Sequence, residues 1–255
     1  MALTDNLISY WSLDESSGDA IDAHGSNDLT DTNTVGAATG KISGARDFEA
    51  GSVERFYHAD STDFSVGDID FTWAGWFQLE SKSTYNIAIC KATDKFTTGQ
   101  QIEYRLYYDV LADRFAFTVG NNTTSLTVEA GTLGSPSTAT WYYIVCWHDA
   151  TANTINIQVN DGTVDSLSYS GGSWDSGGFF FIGLQYADDD IGSTWFPWDG
   201  LIDEVGFWKR VLTSGERTSL YNGGAGLAYP FSSGFIAYPR PRGLVGGMSV
   251  MAGGF

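Results

Sequence analysis

Apolar and polar residues alternate with a period of two through most of this chain. Successive side chains of a strand point to opposite faces, so the alternation marks half-buried strands. It recurs in FTWAGWFQLE, YNIAICKA, QIEYRLYYDVL, DRFAFTVG, SLTVEA, WYYIVCWHD, TINIQVN, DSLSYS, FFFIGLQY and GLIDEVGFW, with turn residues between the runs. Asn160-Asp161-Gly162 predicts a tight hairpin, because Asp-Gly supplies the positive φ angles such reversals need. Long helical periodicity is absent, and no fixed repeat suggests a propeller or solenoid. The expected architecture is sheet on sheet.

The stretch 200–224, GLIDEVGFWKRVLTSGERTSLYNGG, is the most informative. Read at period two, Asp203, Val205 and Phe207 share one face and Glu204, Gly206 and Trp208 the other, which sends an acid with the core-facing set. Thr213 and Glu216 have capping-box spacing and Asn222-Gly223 supplies a left-handed ending, which predicts one short helix over residues 214–221.

An Ile-Asp-Glu-Val strand, a polar turn, a brief helix and a Tyr-Asn-Gly ending resemble the last segment of laminin-G-like domains. LISYWSLDESSGDAIDAHGSND (7–28), GKISGARDFEAGS (40–52), FTWAGWFQLE (71–80), TWYYIVCWHD (140–149) and TINIQVNDGTVDSLSY (154–169) are similar to earlier parts of that family, in matching order. The resemblance covers roughly residues 7–224 and implies an all-β, concanavalin A-like jelly-roll sandwich of two antiparallel sheets. It says little about activity, because this fold hosts lectins, hydrolases, adhesion modules and structural parts.

A chain of 255 residues suits one large sandwich with a tail. Thirteen basic against 31 acidic residues give a net charge of −18, which repels nucleic-acid phosphates and anionic lipid and favours cations as partners. The opening MALTDNLISYWSLDE has neither the basic start nor the apolar run of a signal peptide, and no window is long and apolar enough to span a bilayer. The expected location is therefore a virion, with the protein made in the host cytoplasm; the alternative is extracellular. Cys90 and Cys146 are expected as buried thiols in neighbouring strands.

Residues 225–255 change character: they contain no acid, and Arg240 and Arg242 are their only charges. Removing those two from the thirteen basic residues leaves residues 1–224 at −20 and the tail at +2. The chain thus reads as a sandwich over 1–224 and an extended, glycine-rich apolar arm over 225–255. Such a segment is costly to leave in water. One expectation is that it packs back on its own sandwich. The other is that Phe235, Tyr238, Arg240, Arg242 and Phe255 dock on another subunit of a homo-oligomer, with guanidiniums on carboxylates.

Candidate chemistry gathers at two places. The resemblance implies a calcium ion between the last strand and the opening segment, held by Asp203 with Asp14 or Asp22; equally, Asp203 could accept backbone N–H bonds near a loop. The loop 185–200, QYADDDIGSTWFPWDG, joins Asp188, Asp189 and Asp190 to Trp195, Phe196 and Trp198. Acids with aromatics suggest a calcium-assisted sugar site, since aromatic faces stack on apolar sugar faces and the acids fix hydroxyls. The same residues would serve as a solvated acidic loop and a hydrophobic subunit contact.

Catalysis finds little support. Glu80, Glu103, Glu129 and Glu204 are isolated in sequence, while hydrolysis of a glycosidic bond needs two carboxylates at a defined separation. His24, His58 and His148 lack zinc spacing. The sequence therefore reads as a non-enzymatic attachment or structural protein, a phage capsid-decoration or tail-appendage component whose sandwich contacts glycans. The alternatives are a secreted, calcium-dependent carbohydrate-binding or adhesion module and, behind it, a divergent glycoside hydrolase.

Overall fold

The structure, a computed structural model, describes residues 1–93, 102–185 and 196–231. The opening strands are β1 (Leu7–Trp11), β2 (Thr30–Thr32), β3 (Gly36–Thr39), β4 (Gly44–Phe48) and β5 (Arg55–His58). The middle of the chain forms β6 (Phe71–Leu79), β7 (Asn86–Ala92), β8 (Ile102–Asp109), β9 (Arg114–Gly120) and β10 (Ser125–Glu129). β11 (Trp141–Asp149), β12 (Thr154–Val159), β13 (Asp165–Ser168), β14 (Phe180–Ile182) and β15 (Gly200–Trp208) follow, and then the helix α1 (Ser214–Tyr221).

Two antiparallel sheets face each other. One has eight strands in the order β13-β12-β11-β6-β15-β4-β3, with β1 also on β15; the other has seven, β10-β9-β8-β7-β14-β5-β2. The ten alternating runs correspond to β6 through β15. Three strands, β2, β3 and β5, were not read from the pattern: they are short and lie towards the sheet edges, where little apolar alternation is needed.

Aromatic rings fill the space between the sheets. Trp73 stacks on Phe207 (4.1 Å between centroids) and on Phe180 (5.0 Å), and Phe64 lies 4.5 Å from Phe180. These large, fully buried rings supply much of the apolar burial that stabilises a sandwich.

The strand parity expected for β15 is overturned at one point. A bulge between Asp203 and Gly206 absorbs an extra residue, and Glu204 takes a left-handed φ of 53°. Val205 and Phe207 face the core, but Asp203 pairs with Trp76 and Gly206 with Ala74, both on the outward face. Asp203 therefore travels with Gly206 and Trp208. The bulge coincides with a change of partner, because β15 pairs with β4 through Gly200–Ile202 and with β1 through Val205–Trp208.

The turn at Asn160 is also shifted. Asn160 (φ 52°) and Asp161 (φ 55°) take the left-handed positions, and Gly162 closes the turn by donating its N–H to Val159 O at 2.9 Å. Cys90 and Cys146 are buried free thiols as expected, yet they lie in different sheets, on β7 and β11.

Helix α1 has the expected boundaries and cap. Thr213 Oγ1 accepts the Glu216 N–H, Glu216 accepts the Thr213 N–H at 2.8 Å, and Asn222 closes the helix in the left-handed region. Leu220 and Leu212 pack on the outward face of the eight-stranded sheet with Tyr10, Trp76, Tyr143, Trp147 and Trp208, and Arg217 lies 4.4 Å above Trp147. The start of the expected arm joins this layer. Tyr229 stacks on Tyr10 at 5.4 Å and Phe231 lies 5.2 Å from Tyr10, edge-on. The first residues of the expected arm, up to Phe231, thus lie against the sandwich. Phe235, Tyr238, Arg240, Arg242 and Phe255 lie outside the described residues.

Candidate functional site

The bulge in β15 builds the first site. Where β4 stops and β1 begins, the hairpin 40–44 closes over Asp203. The Asp203 carboxylate accepts the Ile42 N–H at 2.9 Å, while Asp14 accepts the Gly44 N–H at 2.7 Å from the other side. The fit is close: a Cβ on Gly40 would come within 1.7 Å of Gly44 O and 2.8 Å of Asp203 Oδ2. Only glycine allows that approach.

Asp203 is fully buried, and its Oδ1 has no hydrogen-bond partner among the described residues. Burial pushes its carboxyl up to about 8; the Ile42 N–H opposes the shift, and Glu204 and Asp14 add to it. Glu204 is raised to about 7, again by burial first, with its hydrogen bond from the Tyr10 hydroxyl opposing. An orphaned carboxylate oxygen inside a protein costs several kcal/mol when charged, so the site favours either a proton or a hard cation. Asp203 and Asp14, with backbone carbonyls of this corner, have the donor chemistry for calcium.

Asp22 accepts backbone N–H groups of the opening loop. Its Oδ1 accepts the N–H groups of Tyr10 (3.0 Å), His24 (3.0 Å) and Gly25 (2.9 Å), and Oδ2 accepts that of Asn27 (3.0 Å). Burial opposes ionisation, but these four bonds outweigh it and hold the carboxyl below its ordinary value. Asp22 thereby organises the opening loop. The loop in turn presents His24, whose Nδ1 is 3.1 Å from the Tyr229 hydroxyl.

The second expected site divides. Asp188, Asp189, Asp190 and Trp195 lie outside the described residues. Trp198 is corrected: it is 1% exposed and packs edge-on against Phe77 at 5.9 Å, so its indole cannot stack on a sugar. Phe196 stays half-buried on the outward face of the seven-stranded sheet, 5.1 Å from Tyr85, and Tyr85 lies 6.3 Å from Tyr107. Beside them Arg105 spreads over the Tyr107 ring at 4.3 Å and donates to Gln185 Oε1 at 3.0 Å. Both ends of the acidic loop, Gln185 and Phe196, are thus anchored on this face.

The same face carries three rings that sequence reading passed over. Tyr57 stacks on Phe179 (5.9 Å, 8° between planes), and Phe181 lies 6.3 Å from Phe179. Strand register aligns Tyr57, Phe181, Cys90, Arg105, Thr118 and Thr127 in one row across β5, β14, β7, β8, β9 and β10. Alternation alone could place each on an outward face but not beside the others.

The glutamates that looked isolated are held apart. Glu103 is buried against Lys91 (2.5 Å), Glu204 is bonded by Tyr10, and Glu129 sits exposed on the strand β10. Glu80 does find company, since its carboxylate lies with those of Asp47 and Glu49 so that one oxygen of each falls within 4.8 Å of the others. Burial raises Asp47 and Glu80, and neighbouring acids, Asp199 among them, raise both further. Asp47 and Glu49 carried no local motif; only the register of β4 beside β15 and β6 reveals the group.

Residues 55–216 match the family described as the concanavalin A-like lectin/glucanases superfamily. No curated protein is significantly similar to the chain. Among solved structures, domain 4 of AbnA, a GH43 extracellular arabinanase from Geobacillus stearothermophilus in complex with arabinotriose, is 17% identical with a TM-score of 0.58, over 84% of this chain and 97% of that domain. The botulinum neurotoxin serotype C1 binding domain is 12% identical with a TM-score of 0.59, over 86% of this chain and 52% of the other. Trypanosoma rangeli sialidase is 12% identical with a TM-score of 0.59, over 88% of this chain and 34% of the enzyme. The chain thus spans about half of the neurotoxin domain and a third of the sialidase. At such identities the likeness is one of fold.

Proposed function

Because the chain belongs to the concanavalin A-like lectin/glucanases superfamily, we propose that it is a non-enzymatic, carbohydrate-binding attachment protein. The observation that carries this reading is the ring cluster of Phe196, Tyr85 and Tyr107 beside the Arg105–Gln185 pair, on the outward face of the seven-stranded sheet. Half-buried rings stack on the apolar faces of sugars, and an adjoining guanidinium and amide suit hydroxyl recognition. Domain 4 of AbnA, described with arabinotriose, and the type C neurotoxin, whose cell entry depends on two ganglioside molecules, support glycan binding as a use of this fold. A glycan array on the intact protein tests it. At least one glycan is expected to bind, with a tenfold or greater loss in Phe196→Ala and Tyr85→Ala; silence of the whole array overturns the reading.

In this proposal calcium is structural. Asp203 and Asp14 would hold it, and the ion would neutralise the buried carboxylate at the bulge. Calcium should raise the melting temperature of the wild type at pH 8 and leave Asp203→Asn unmoved; an equal response in both removes Asp203 as a ligand.

The non-enzymatic assignment is supported by the separation of Glu103, Glu129 and Glu204 and by the engagement of two of them in buried contacts. Its point of attack is the group of Asp47, Glu49 and Glu80. Turnover of a β-glucan panel that disappears in Glu80→Gln would make the protein a hydrolase. The finer role, a subunit of a virus particle that assembles as a homo-oligomer, rests on the apolar composition of the C-terminal stretch. Sedimentation of the full chain against a chain ending at Phe231 tests assembly, and detection of the protein in purified particles tests location.

A further inference from the structure

One buried amine has no part in the sites described above. Lys91 on β7 pairs with Phe180 on β14 and with Tyr104 on β8, both rings of the core between the sheets, and its side chain is fully buried. Lysine is enclosed in this way only when it is paired. Its Nζ lies 2.5 Å from Glu103 Oε1 and 2.9 Å from Asp60 Oδ1, with Asp175 further off at 3.7 Å. Register brings the three groups together. The pairing of β7 and β8 steps from Lys91 opposite Tyr104 to Ala92 opposite Ile102, so Glu103 is the extra residue of a bulge that turns its carboxylate onto Lys91. Ser176 fixes it there, donating its N–H and its hydroxyl to Oε1, each at 2.7 Å. Asp60 arrives from the end of β5, whose His58 shares a row with Phe180 and Lys91.

An amine in contact with one carboxylate, and with a second that is buried beside it, has the parts of an amide condensation. We propose that Lys91 Nζ and Asp60 Cγ condense spontaneously to an isopeptide bond, with Glu103 as the proton carrier. The Nζ–Cγ bond forms and one Cγ–Oδ bond of Asp60 breaks. Two of the three ammonium protons pass by way of Glu103 to the departing oxygen, which leaves as water; Glu103 ends as it began, and no oxidant or other reactant is consumed. Free in water the same groups would not condense, but groups held in contact reach effective concentrations on the order of 10⁵ M or more. Burial raises the Glu103 carboxyl in spite of Lys91 and Ser176, which suits a group that must take up a proton. Burial also disfavours the Lys91 ammonium, but Glu103 and Asp60 outweigh it and keep the amine protonated. Release of that proton is therefore the slow step, and the bond matures after folding. Asp60 is 38% exposed, which gives the water a way out. The bond closes a loop from residue 60 to residue 91 that contains β6, a strand of the opposite sheet, and so staples the two sheets together. Like a disulfide it restricts the unfolded chain, yet a reductant does not cut it.

Intact mass spectrometry of the purified full chain, followed for days at neutral pH, tests the bond. The chain is expected to lose the mass of one water, and trypsin is expected to release residues 56–82 joined to residues 83–95, because a condensed Lys91 is no longer cut. Asp60→Ala should keep its full mass. Asp60→Asn should lose ammonia in place of water and give the same branched peptide, since an amide can also surrender its carbonyl carbon to the amine. Glu103→Gln should condense about a hundredfold more slowly, the scale of a lost proton carrier. Melting curves establish that the variants are folded, and Asp60, at the surface, is the safest of the positions to change. A wild-type chain that keeps its full mass throughout overturns the inference. So does a loss of water that persists in Asp60→Ala, which would move the dehydration to another place such as Asp161-Gly162. A branched peptide that carries Asp175 instead of Asp60 overturns the choice of partner, and an unchanged rate in folded Glu103→Gln overturns the role of Glu103.

Discussion

On the outward face of the eight-stranded sheet, Trp76, Trp147 and Trp208 lie under α1 and residues 225–231; on that of the seven-stranded sheet, Tyr57, Phe179, Tyr85 and Phe196 stay half-buried. Both faces are aromatic, so composition does not separate them. The difference lies in what the chain does after its last strand. It turns through Arg210, whose guanidinium grips Glu216 by two bonds of 2.7 and 2.9 Å, and lays a helix and a short strap on the face of the eight-stranded sheet. The covered face behaves as a second core. Among the described residues, the other face keeps half-buried rings.

The comparison breaks most sharply under truncation of matched rings. Trp208 is 1% exposed, and its indole N–H donates to Leu3 O at 2.7 Å. Trp208→Ala should cost about 3–5 kcal/mol in urea unfolding, against about 1 kcal/mol for Tyr57→Ala. Equal costs would mean that both faces are cores. Next in size is the strap. A chain ending at Gly224 should be less stable than one ending at Phe231 by roughly 2–3 kcal/mol, because it loses the contacts of Tyr229 and Phe231 with Tyr10 and Trp208. If the two melt together, the strap is ornament.

Much of this contrast was legible beforehand and some was not. The strands β6 to β15, the helix and its cap follow from period-two alternation and from Thr213, Glu216 and Asn222, which are local signals. The face of Asp203 was misread because a bulge leaves no fixed mark in sequence: Glu204 looks like any strand residue, yet it absorbs the step that reverses parity. Trp198 was misassigned because a tryptophan beside acids reads alike whether it is buried or bare. The Tyr57 cluster and the Asp47 group depend on register between strands distant in sequence, which spacing within one strand cannot supply. Asp14 and Asp203 both accept N–H groups of the hairpin 40–44, and Asp22 accepts those of the opening loop, contacts that no spacing in sequence marks.

The bulge gives the covered face a pH dependence that the other should lack. Asp203 and Glu204 are raised in the fold, to about 8 and about 7. The native state therefore binds more protons than the unfolded chain between the ordinary carboxylate range and those values, and stability falls as pH rises through that window. In chelator, the wild type should lose stability from about pH 5 to pH 9, and Asp203→Asn should exceed it by about 2 kcal/mol at pH 9 while matching it near pH 5. Below about pH 4 the sign reverses, since Asp22 and Glu216 are held low by their hydrogen bonds and lose that stabilisation on protonation. A flat profile between pH 5 and pH 9 would mean that the Asp203 oxygen has found a partner.

The smallest effect isolates the lid itself. Thr213 caps α1 from outside both faces, and its hydroxyl accepts the Glu216 N–H at 3.3 Å while Glu216 also holds Arg210. Thr213→Ala should cost about 1 kcal/mol, the usual value of an N-cap. That loss falls on the helix covering the eight-stranded sheet, so amide exchange should quicken in α1, and binding of any glycan on the opposite sheet should not change. Were the substitution to weaken glycan binding as well, the two faces would be coupled through the core, and the division between a sealed face and a binding face would fail.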